Sequence, residues 1–171
     1  MRKAMYVQYT TMIVLCFVCG VAIYQLFHIE QVKQIIEWGD RRLLTLDKPT
    51  LIWSAVPFIV AISIVLFFST HKYLTVIAPV FIAIKLTFLG FSSVFLLVQH
   101  QSVKFYGLWW FPFQLFYCIL LIVLYNNCFK NNKINGRALK ATTPWRKVIQ
   151  LLLVMILLFG LENFVISYLF K

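Results

Sequence analysis

The chain has 171 residues, 62% of them hydrophobic and only 12% charged, with a net charge of +11. A soluble domain would be near a quarter charged, so a single aqueous core is excluded and lipid is the solvent for most of the chain. The basic residues mostly flank apolar runs, as positive-inside topology and anionic headgroups produce, so the partner they imply is the bilayer and not nucleic acid.

The expected architecture is all-α, one polytopic integral membrane domain over residues 1–171. Its five transmembrane helices span about 9–27, 50–70, 74–98, 107–127 and 148–170, with one amphipathic interfacial helix between the first two. The first apolar run follows Arg2 and Lys3 and lacks a small-residue cleavage site, so it reads as a retained helix with a cytoplasmic start. It contains Cys16 and Cys19. A thiolate there would be costly and no His or carboxylate is near, so the pair reads as two small apolar side chains.

Residues 28–49 form the polar stretch of the first half. Ile29, Val32, Ile35, Ile36, Leu43 and Leu46 recur at three- and four-residue steps, the mark of an amphipathic helix lying on the headgroups. Four of the five acids (Glu30, Glu37, Asp40, Asp47) sit here with four bases (Lys33, Arg41, Arg42, Lys48), so the loop is near neutral. It reads either as a solvated connector or as a partner-binding surface. Pro49 suits the start of the second span, and Pro57 should kink its interior.

His71, Lys72 and Tyr73 make a tight turn into the third span, where Ala83, Thr87 and Gly90 fall on one face, a small-residue stripe that lets two helices approach closely. Ser92 lies two turns from Lys85. After a short loop over 99–106, Trp109, Trp110 and Phe111 read as an interfacial aromatic belt, with Pro112 at a first-turn position. The loop over 128–147 carries Lys130, Lys133, Arg137, Lys140, Arg146 and Lys147 and no acid, which places it in the cytoplasm. The C-terminus then falls outside.

Two charges interrupt apolar segments: Lys85 in the third and Glu162 in the fifth. A charge at such depth costs roughly 2.5–3.5 kcal/mol on insertion scales. Counted from the inner ends of their spans at 1.5 Å per residue, the two lie at depths of roughly 16 and about 21 Å, close enough for a long Lys side chain to reach. The pair can be a lock between helices, part of an ion or proton path, or two groups that hydrate separately.

There is no HExxH, paired carboxylate, phosphate-binding glycine loop or GxSxG, so neither an enzyme, a cofactor nor a metal is implied. His28, His71 and His100 all sit at segment ends; a peptidase joining His71 to Cys118 or Cys128 has no local motif behind it.

The order of several weak motifs resembles the stage II sporulation protein M family. Lys85 is followed by Gly90 and Phe91; Glu162, Phe164, Val165, Leu169 and Lys171 close the chain in the family-like spacing; and the first span ends in a Gly-containing run. The family's Pro-Gln-Asn of the fourth span is matched only in part, by Pro112, Phe113 and Gln114. Val94 stands where a further Gly is expected, and the first outer loop is short. The resemblance implies a non-enzymatic scaffold in the bacterial plasma membrane that holds peptidoglycan-degrading partners of the sporulation machinery, as in engulfment. It also offers Ala83, Thr87 and Gly90 for packing against a partner's single helix. The alternative is a small transporter subunit or ion-path protein using Lys85 and Glu162.

Overall fold

The computed structural model of the protein describes residues 2–44, 51–70, 73–99, 103–133 and 145–169. The predicted helix start at Pro49, the turn residues His71 and Lys72, His100, the centre of the basic loop and Lys171 lie outside the described residues.

All regular structure among the described residues is helical. Helix α1 is Arg2–Tyr24, α2 is Ile29–Asp40 and a 3-10 turn follows at Arg41–Leu43. Helix α3 is Leu51–Thr70 and α4 is Ile77–Gln99. The single turn α5, Val103–Phe105, runs through a π-helical turn, Tyr106–Trp110, into α6, Phe111–Lys133; α7 is Trp145–Leu169. Four helical stretches are long and apolar enough to cross a membrane: Val7–Tyr24, Ile77–Gln99, Val103–Cys128 and Trp145–Leu169. In α3 the apolar stretch is shorter, Ser54–Thr70.

The two prolines leave different marks. Pro57 lies inside α3 and deprives the carbonyl of residue 53 of its helical donor. Pro112 lies at the second position of α6, immediately after the π turn, where the Phe111 N–H reaches back five residues to the Tyr106 carbonyl. The wider turn relieves the clash that a proline ring makes with the carbonyl four residues before it. The predicted first-turn position of Pro112 is therefore displaced: helical structure already begins at Val103.

Helices α1 and α4 run side by side in the same direction and make the closest pairing in the bundle. Glycine on each allows it. A Cβ at Gly20 would overlap the Thr87 carbonyl oxygen, and one at Gly90 would overlap the Phe17 carbonyl oxygen. Such near-contact of backbones is how apolar helices gain packing where lipid offers no hydrophobic drive. The Ala83 carbonyl accepts the Thr87 hydroxyl at 3.0 Å. Thr87 and Gly90 thus face the protein's own α1, which corrects the expectation that this stripe is open to a partner's helix.

Two apolar clusters fill the bundle. The first gathers Val65, Ala78, Ile82, Leu124, Val148 and Met155, at the end where α4 and α7 begin and α6 finishes. The second gathers Ile36, Leu89, Phe95, Trp109, Trp110 and Ile166, at the opposite end. Outward apolar side chains such as Val14, Leu157 and Phe164 remain exposed for lipid.

Helix α2 departs from the expected interfacial placement. Its stripe, Val32 and Ile36, is 1% and 0% exposed against the second cluster, while Trp38 on its other face is 92% exposed. Gly39 lies so close to the Phe88 ring that a Cβ would overlap it. The amphipathic period is therefore satisfied by protein, and α2 docks against the bundle. Trp109 and Trp110 depart likewise. They are core residues, each 1% exposed, and not a headgroup belt. Each indole N–H finds an internal acceptor, which removes the reason for a tryptophan to sit at the interface.

Candidate functional site

Beside the second apolar cluster lies a polar cluster to which four separate stretches of the chain contribute. The 3-10 turn after α2 supplies Arg42, with Asp40 as its N-cap. The Arg42 backbone N–H donates to Asp40 Oδ1 at 3.1 Å, fixing the turn. The guanidinium then closes on the same carboxylate, Nε donating to Oδ1 at 2.9 Å and Nη2 to Oδ2 at 2.7 Å. Its remaining arm crosses the bundle to α7, where Nη1 donates to Glu162 Oε1 at 2.9 Å. Trp109 lies beneath, its ring centroid 5.7 Å from Arg42 Cζ, a cation–π contact.

Glu162, 1% exposed, accepts two further bonds. Trp109 Nε1 donates to Oε1 at 3.1 Å and the Tyr117 hydroxyl to Oε2 at 2.7 Å. Trp110 Nε1 donates to Ser92 Oγ at 3.0 Å, and Ser92 donates onward to the Phe88 carbonyl at 2.7 Å. The network ties α2, α4, the π turn, α6 and α7 together. Burial works against the Arg42 charge, but Asp40 and then Glu162 outweigh it and hold the guanidinium above its ordinary pKa.

This arrangement revises the expected Lys85–Glu162 pair. Both residues line one internal cavity, of about 50 Å3, but the ion pair of Glu162 is with Arg42, and no ion pair joins it to Lys85 among the described residues. The physical reason is that Arg42 combines charge with a planar fork that serves two carboxylates at once, and α2 carries it into the bundle. Arg42 and Asp40 were hidden in the sequence because they stood among the bases and acids of a loop that read as solvated. Tyr117 gave no signal in an apolar run. The usable clue was the spacing of Asp40 and Arg42 against the buried stripe of Val32 and Ile36.

The remaining predicted residues scatter. Phe91 is buried and meets Tyr24 edge-on at 5.4 Å. Phe164 is 72% exposed, while Val165 packs half-buried on the second cluster. Cys16, Cys19, Cys118 and Cys128 are all free thiols, with Cys118 on the wall of the central cavity. Among the described residues no three of His, Cys, Asp and Glu come together as metal ligands.

Comparison of the chain with protein-family models, with curated proteins and with solved structures finds no match.

Proposed function

We propose that the protein is a non-enzymatic membrane scaffold, with five crossings, the basic loop in the cytoplasm and the docked α2 on the opposite side. The observation that carries this reading is the bonding of Glu162: donors on three different elements bind its two oxygens. A carboxyl group held in this way by several elements serves as a fastener between helices.

The sequence resemblance to the stage II sporulation protein M family makes peptidoglycan-degrading proteins the partners in this reading and the bacterial plasma membrane its location. The surface offered to them is the solvent side of α2, including Glu30 and Trp38, both exposed. A second reading, a transporter subunit or ion path through Lys85 and Glu162, is favoured by the cavity between them.

Affinity capture from detergent-solubilised native membranes, followed by mass spectrometry, separates the two. Recovery of cell-wall hydrolases, lost on substituting Trp38, is the expected outcome. Recovery of an ATPase or transport subunits in their place would overturn the scaffold reading.

A further inference from the structure

The central cavity adjoins a groove on the side of the bundle. This groove, of about 360 Å3, opens between α2, α3 and α4, and it shares Gly39, Asp40, Pro57 and Lys85 with the cavity. Its walls are of two kinds. Val56, Val60 and Phe81 form an apolar side, and Val56 and Val60 face lipid at 46% and 48% exposure. Glu37 and Arg41 flank it at the α2 end.

Two groups inside have unmet bonding capacity. Ser54, on the cavity wall one turn before Pro57, is 1% exposed and its Oγ has no hydrogen-bond partner among the described residues. A buried unpaired hydroxyl calls for an explanation, and a site for a polar ligand group is one. Lys85 forms no ion pair with a carboxylate among the described residues, so its ammonium presents three donors to whatever occupies the cavity. Gln114 adds an amide to the same wall.

The charges decide the kind of ligand. Asp40 and Glu162 are balanced by Arg42 and Lys85, and in the groove Glu37 is balanced by Arg41, 3.9 Å away. The site as a whole is neutral. An anionic guest would leave an uncompensated charge among apolar helices, which is costly. A guest carrying one charge of each sign would not.

We propose that this groove and cavity hold one zwitterionic phospholipid that enters from the side. Its phosphate sits on Lys85 and Ser54, its amino group faces Glu37 in the groove, and an acyl chain lies along Val56, Val60 and Phe81. The cavity's volume is enough for a few water-sized groups, which suits a phosphate and not a whole headgroup. The amino end therefore stays in the wider groove.

The test uses the full chain purified in nonionic detergent and titrated with dihexanoyl-phosphatidylethanolamine, read by native mass spectrometry and by the shift in melting temperature. Parallel titrations use dihexanoyl-phosphatidylglycerol, dihexanoylglycerol and phosphoethanolamine. Saturable binding of the ethanolamine lipid is expected, about tenfold or more tighter than that of the glycerol lipid or of either fragment. Lys85→Met should weaken it by about tenfold and Glu37→Gln by a smaller factor. Glu37 is exposed, so its substitution keeps the test valid where the Lys85 variant does not fold. No saturable binding, equal binding of the anionic lipid, equal binding of a fragment, or an affinity unchanged in both variants would each overturn the proposal.

Discussion

The two ends of the bundle are held by different forces. At the end where α4 and α7 begin, Val65, Ala78, Ile82, Leu124, Val148 and Met155 make a cluster without a buried charge, and the notable polar contact is the Tyr9 hydroxyl on Asn126 Oδ1. At the other end, aromatic side chains surround Arg42, Asp40 and Glu162. Dispersion in the first is spread over many small contacts and tolerates repacking. The second depends on a few directed bonds, each of which leaves a stranded group when it is removed. A polar core of this kind makes one arrangement of α2 and α7 much better than its neighbours, which an apolar surface in lipid cannot do by itself.

Removing the hub of the polar end should have the largest effect. Glu162→Leu leaves the Trp109 and Tyr117 donors without their acceptor and takes one of two carboxylates from Arg42. We expect a loss of about 3–5 kcal/mol, read as lower folded yield and a lower melting temperature in detergent. At the apolar end, Leu124→Ala removes a side chain with 0% exposure and should cost about 2–5 kcal/mol through the cavity it leaves. The two losses should add when combined, since the sites share no partners; strong coupling between them would show that the ends are not separate. Trp110→Phe is the smallest of the three. It deletes one bond to Ser92, whose hydroxyl keeps the Phe88 carbonyl, so about 1 kcal/mol is expected. A loss as large as that of Glu162→Leu would mean that Trp110 supports the network in a way its bonds do not account for.

The same division governs what could be read from the sequence. The apolar end was legible, because long hydrophobic runs and basic flanks locate helices through composition alone. Glycine packing was half legible: the stripe at Ala83, Thr87 and Gly90 pointed to a close approach, but Gly20, its counterpart on α1, lay in a run with no pattern. The polar end was the harder part. Glu162 stood out as a charge in an apolar segment. Its partner did not, because Arg42 is adjacent to Arg41 and only the fold separates the exposed one from the buried one. Trp109 and Trp110 misled for a related reason, since tryptophan near a helix start fits a headgroup belt as readily as a core in which its N–H is bonded.

The central claim is that Arg42, and not Lys85, is the ion partner that fastens α7 to the docked α2. Two double-mutant cycles in purified protein test it most directly, one pairing Glu162→Leu with Arg42→Met and one pairing it with Lys85→Met, each followed by unfolding in mixed micelles. The account predicts a coupling of about 1–3 kcal/mol in the first cycle and less than about 0.5 kcal/mol in the second. A strong coupling to Lys85 together with additive behaviour at Arg42 would contradict it.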